Sequence, residues 1–124
     1  MANPNIISAT SILGKIAYDT DVATSASAIV SNAASSGTLV KINSLIIANI
    51  DGTNAADITA TVRNAAGGTT YSTLANTISV PADATLVVVS KDSSIYLEED
   101  MSIWLASSAA GDLSATCSYE EISE

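Results

Sequence analysis

The chain predicts an all-β fold, an antiparallel β-sandwich of jelly-roll type with about eight or nine short strands. Of its 124 residues 48% are apolar, but 21 are Ala, none is Phe and one is Trp, so Ile, Val and Leu must fill the interior. Residues branched at Cβ pack well on pleated strands. Ser and Thr total 32, while Lys, Glu and Gln are few, which leaves poor material for exposed helix faces. Short alternating runs recur between clusters of Gly, Asn, Asp and Ser, the spacing of sandwiches and jelly rolls. The length suits one domain over residues 1–124, large enough to bury a core.

In order, "MANPN" (residues 1–5) is an N-terminal arm, and "IISATSI" and "GKIAYDTDV" are extended. "ASAIV" follows, then the loop "SNAASSG". In "TLVKINSLIIANI" the alternation puts Val40, Ile42, Ile46, Ala48 and Ile50 on one face and Lys41, Asn43 and Asn49 on the other, with Leu45 and Ile47 making both faces apolar. "DITATVR" alternates without a break, Ile58, Ala60 and Val62 inward, Thr59, Thr61 and Arg63 outward. "NAAGG" is a turn, and "TTYSTLANTISV" is extended up to Pro81, which cannot donate to a central ladder. "ATLVVVS", "SIYLEED", "SIWLASS" and "DLSATCSYEEI" complete the series, with turns at "KDS" and "AAGD". "VATSASAIVSNAASS" is Ala-rich, but its Ser, Thr and Val oppose a helix. The expected core is Ile42, Ile46, Ile58, Val62, Val88, Ile103, Leu105 and Cys117.

"ANIDGTNAADITATV" (residues 48–62) poses a choice between cation loop and scaffold. A calcium loop needs alternating oxygen donors, a central Gly and a distant Glu; here Gly52 directly follows Asp51, and only Asp51, Asn54 and Asp57 offer good donors. Asp-Gly between two alternating runs predicts a hairpin. No metal is expected.

Other chemistry fails on residue types. Without His the usual general base and nitrogen ligand are missing, and triads and zinc sites are excluded. Glu98 and Glu99 beside Asp100 supply carboxylates, but strand neighbours point to opposite faces and five aromatics make no sugar platform. "NAAGGTT" lacks the Lys of a phosphate loop. No catalytic residue and no cofactor is expected. The lone Cys117 excludes an internal disulfide and fits a small core residue. No charged segment leading an apolar one starts the chain, and the apolar runs are too short for a membrane span.

The net charge of −9 opposes a nucleic-acid grip. Residues 98–124 hold seven acids and no base, whereas residues 1–97 hold six acids and four bases. Such an end is either a solvated face or a docking surface for a basic partner. The candidate docking residues are Glu98, Glu99, Trp104, Glu120 and Glu121. Leu45, Ile47 and Trp104, opposite the inferred core faces, suggest a homo-oligomer, a trimer or ring.

"IANIDGTNAADITATV", "TISVPADATLVVVSKDSSIYLEED" and "SAAGDLSATCSYEEIS" resemble segments of small virion structural proteins of tailed bacteriophages, particularly those of marine cyanobacteria, over roughly residues 38–123. The pattern of such proteins has Gly-Asp after "LEE"; this chain has Asp100-Met101, which puts the shape of that turn in question. The resemblance implies a β-sandwich particle protein that assembles in the host cytoplasm, resides in the virion and has the major capsid protein or other virion proteins as partners. A single small domain favours a capsid decoration (cement) protein. Neck, collar or tail proteins and a carbohydrate-binding adhesin are the alternatives.

Overall fold

The alternating runs become nine strands in the computed structural model, which describes residues 3–124. They are β1 (Ser11–Asp19), β2 (Ser27–Asn32), β3 (Thr38–Asn49), β4 (Ala56–Asn64), β5 (Thr70–Val80), β6 (Thr85–Val89), β7 (Ile95–Leu97), β8 (Met101–Ser107) and β9 (Leu113–Ser123). One sheet runs β1-β9-β3-β6, with β7 also on β3; the other runs β2-β8-β4-β5. Every pairing is antiparallel. β6 and β7 are two halves of one broken strand along β3, joined by a short 3-10 turn at Lys91–Ser93. Counted so, the order is that of an eight-stranded jelly roll, and the expected fold class holds.

Two local elements differ from the sequence expectation, one at the start of the chain and one at Asp51. Ile6–Ser8 is a 3-10 turn, not a strand, closed by Asn5, whose Oδ1 accepts from the Ile7 N–H at 3.0 Å. "NIDGTNAAD" is not a hairpin, because β3 and β4 belong to different sheets. It is an arch across the sandwich. Gly52 is absent from the positive-φ positions, so the bend does not use glycine's freedom. It is made by Asp51, whose Oδ1 accepts from the N–H groups of Thr53 (2.8 Å) and Asn54 (3.3 Å). The hairpin within a sheet is β4–β5, where "NAAGG" turns as expected with Gly68 at φ 71° and Asn64 Oδ1 accepting from Gly67 N–H at 2.6 Å.

The larger correction lies in β3. Its ladder with β9 pairs Ile42 with Tyr119 and then Ser44 with Ser118, so Asn43 is an inserted residue. A bulge of this kind reverses the facing of everything after it. Val40 and Ile42 point inward before it, and Leu45, Ile47 and Asn49 point inward after it. Leu45 and Ile47 are 0% exposed, and Ile46 is turned to the outer face. Ile46 therefore leaves the expected core, and Leu45 and Ile47 leave the expected oligomer surface. Ile42, Ile58, Ile103, Leu105 and Cys117 are buried as expected, while Val62 and Val88 are half-buried against the same cluster. Val88 sits at a matching bulge in β6, between Val87 and Val89.

Two buried asparagines secure the two ends. Asn32 donates from Nδ2 to the carbonyls of Thr38 (2.9 Å) and Leu97 (3.0 Å). Asn49 donates to the carbonyls of Asn54 (3.0 Å) and Val80 (2.8 Å), which ties the central strand to the opposite sheet. Each replaces backbone pairing where the ladder stops, so its buried amide is satisfied.

The inverted register gives a direct check. Ile47→Ala should cost about 2–5 kcal/mol in urea unfolding, the usual range for emptying a core site. Ile46→Ala, half-buried on the outer face, should cost clearly less, about 1 kcal/mol. Equal losses would contradict the bulge.

Candidate docking surface

The outer face of the five-stranded sheet carries exposed apolar side chains to either side of the Lys41–Glu120 row, and none of the described strands packs over them. Residues directly opposite in a ladder share a face, so Ile12, Ile16 and Tyr18 of β1 lie outside with Ile122, Ser118 and Thr116 of β9. Val87 pairs with Ile46 and Tyr96 with Lys41 on the same side. Ile12, Ile16, Tyr18, Val87 and Tyr96 are all exposed. Leu39 and Ile122 are also on this face yet buried, and they stand apart from the central core cluster.

The N-terminal arm shares the Leu39 end of that face. Thr10 N–H donates to the Ser123 carbonyl at 3.0 Å, and Ser8 Oγ donates to Glu124 Oε1 at 2.7 Å. Asn3 Nδ2 donates to Glu98 Oε1. Between arm and sheet lies a cavity of about 730 Å³ whose apolar lining includes Ile6, Ile7, Leu39, Tyr96 and Met101, with Glu98 at the same rim. Of the expected arm, residues 1–2 lie outside the described residues.

The five candidate docking residues do not form one patch. Glu98 and Glu99 lie in the turn between β7 and β8 and, with Asp100, line a cavity of about 290 Å³ beside Asn3 and Ser35. Both Glu99 carboxylate oxygens and Asp100 Oδ1 are buried without a hydrogen-bond partner. Asp100 itself takes φ 63°, so the turn adopts the left-handed conformation that favours glycine and an aspartate fills it. Glu120 is on the outer face opposite Lys41. Glu121 is on the inner-facing side and pairs with Lys15 at 3.2 Å. Trp104 lies on the outer face of the other sheet. Its Nε1 donates to Ser102 Oγ at 2.6 Å, the Arg63 guanidinium stands 5.0 Å from its ring centroid, and a Cβ at Gly68 would come within 3.4 Å of it. The indole is a half-buried lid over Ser102 and Thr61. Strand order, invisible in the linear sequence, separates it from the acids.

The acids also divide differently in space than along the chain. Asp112, from the acidic C-terminal segment, meets Asp51 and Asp21 at the end of the sandwich opposite the arm. Gly111 N–H donates to Asp21 Oδ1 at 2.7 Å, and Ile50 N–H to the Asp112 carbonyl at 2.7 Å, which brings three loops together. Hydrogen bonds from Thr53 and Asn54 lower the Asp51 pKa. Desolvation, then the charges of Asp51 and Asp21, raise that of Asp112. These aspartates came from three separate segments, and only their loops' convergence reveals the cluster. Among the described residues, no group of three His, Cys, Asp or Glu is placed to hold a metal, and no helix is long and apolar enough to cross a membrane. Burial pushes the Cys117 thiol up to about 12.

No family model matches the chain, and no curated protein matches it. Among solved structures, it is similar to a chain from Bacillus endospore appendages, described as forming "a novel family of disulfide-linked pili". The TM-score is 0.51 at 16% identity, over 91% of this chain and 88% of that one. At that identity the likeness shows a shared fold.

Two substitutions test the two ends. Asp112 has its pKa raised on folding, so its ionisation opposes the folded state as pH climbs past the unfolded value of about 4. Asp112→Asn should raise the melting temperature at neutral pH, and the gain should vanish below the carboxylate range. A gain that persisted in acid would show that charge is not its cause. Asp100→Gly removes a left-handed side chain and an unpartnered oxygen, and should stabilise by up to about 1 kcal/mol in denaturant unfolding.

Proposed function

We propose that the chain is a non-catalytic structural subunit of an assembled particle, in its specific form a decoration protein on the capsid of a tailed bacteriophage. The observation that carries this reading is the set of exposed apolar side chains on the five-stranded sheet, of which Tyr96 also lines the groove under the arm. Exposed apolar patches rimmed by polar groups mark association surfaces. Ile7, Tyr96 and Met101 supply the contact area, and Glu98 and Glu99 supply the charge. A Lys or Arg from the major capsid protein or another virion protein would relieve the unpartnered carboxylates at that corner. The likeness of three sequence segments to virion proteins supports the particle, and the jelly roll suits it as a rigid, compact unit.

A second reading, a subunit of a filamentous appendage, is favoured by the fold shared with the Bacillus pilus chain. Cys117 opposes a disulfide-linked version, because it is the sole cysteine and is 0% exposed.

Labelling the protein in purified particles places it on head, neck or tail. Particles lacking it should lose resistance to heat and osmotic shock; equal resistance would move the role to neck, tail or adhesin. Apolar contact should hold the bound protein while charge steers it, since salt screens exposed charge over about 8–10 Å. Moderate salt should therefore slow attachment to stripped particles without releasing bound protein, whereas Ile7→Asp should speed release.

A further inference from the structure

We propose that β1 is a self-pairing edge, through which two copies of this chain join their five-stranded sheets about a two-fold axis. This goes beyond the particle reading and does not depend on it.

Sheet edges expose unpaired N–H and C=O groups, and proteins protect them with bulges, short strands, proline or charge. Three of the edges here carry such protection. β2 has six residues with a register shift between Ala28 and Val30. β5 shifts register three times against β4 and holds Thr77 at φ 47°. β6 has five residues, carries the Val88 bulge and is followed by the three-residue β7. β1 lacks the bulge, the proline and the short length, and the one protection it carries is the charge of Lys15 at its middle. Its nine residues pair with β9 from Ser11↔Ser123 to Asp19↔Ala115 without a shift, so its free edge is straight. It contains no proline, and Ile12, Leu13, Ile16 and Tyr18 are 50–70% exposed, on both faces of the strand.

Charge selects the occupant and the register. The chain carries −9, but β1 holds one Lys and one Asp, so it is a neutral strip on which two acidic copies can meet. Antiparallel pairing centred on Lys15 would align all nine residues and set Lys15 against Lys15, an unfavourable like-charge contact. Centring on Ala17 pairs only the five residues 15–19 of each strand, and sets Lys15 against Asp19 twice and Ile16 against Tyr18 twice, opposite-charge and aliphatic–aromatic pairs of the stabilising kind. Lys15, already 3.2 Å from Glu121 of its own chain, gains a second carboxylate. The contact is isologous and closes on itself. It extends the exposed outer face across both copies, so docking to a larger particle would be bivalent.

Sedimentation equilibrium of the full chain should give twice the 12.5 kDa monomer mass at high concentration. Ile16→Lys should return it to monomer, and Val87→Lys, an exposed outer-face change on the opposite edge, should leave the dimer intact; melting curves check that both variants fold. Under oxidation, a mixture of Ile16→Cys and Tyr18→Cys chains should form cross-linked mixed dimers, and neither variant alone should cross-link. A monomer at high concentration, a trimer or larger ring, equal disruption by Val87→Lys, or cross-linking of Ile12→Cys with Tyr18→Cys in place of the 16–18 pair would each overturn the proposal.

Discussion

The inserted residue at Asn43 governs more of this molecule than any other single feature. β3 is the hub of its sheet, bonded to β9 on one side and to β6 and β7 on the other. With one extra residue it carries Val40 and Ile42 inward, then shifts to place Leu45, Ile47 and Asn49 inward. Without the bulge, Asn49 would turn outward and lose its bonds to Asn54 and Val80 across the arch. Leu45 and Ile47 would then face solvent, and Ile46 would crowd the interior. The bulge converts a strand apolar on both faces into one with a single core register, and it leaves Ile46 on the outer face.

Jelly-roll connectivity explains why residues far apart in sequence meet at the ends of the sandwich. Nearly every connection crosses between the sheets, so loops distant in sequence converge at each end. At one end Asp21, Asp51 and Asp112 meet. At the other, the arm and the β7–β8 turn bring Asn3, Glu98 and Glu99 together. At the first end the Thr53 and Asn54 hydrogen bonds lower Asp51, while desolvation and then the Asp51 charge raise Asp112. The Lys15–Glu121 pair is partly exposed and adds little to stability. The interior is held by aliphatic packing and by the two satisfied asparagines, and its one thiol is too buried to react or to link copies.

The fold by itself assigns no activity, since jelly rolls serve many functions. What bears on function is distribution. The apolar groups left outside lie largely on one sheet face and one edge strand, and the charges lie mostly at the rims. Beside that face lies the apolar groove under the arm, about 730 Å³, a concavity of the size that small molecules occupy. Trp104, which the sequence grouped with the docking acids, lies on the other sheet, its Nε1 on Ser102 Oγ and the Arg63 guanidinium 5.0 Å from its ring.

Composition and alternation were sufficient for the class of fold, because period-2 placement of Ile, Val and Leu has one stable outcome when helix-forming residues are few. The inward facing of Ile58, Ala60 and Val62, the burial of Cys117 and the turn at "NAAGG" were legible for the same reason: each depends on a short, unbroken pattern. The facing of Ile46 and Ile47 was not, since a strand apolar on both sides contains no signal of where a residue is inserted. Nor was the crossing at Asp51, because Asp-Gly bends a chain equally well within one sheet and between two. The grouping of the acids and the separation of Trp104 from them were set by strand order alone. Strand order arises from long-range pairing, and no local run of residues encodes it.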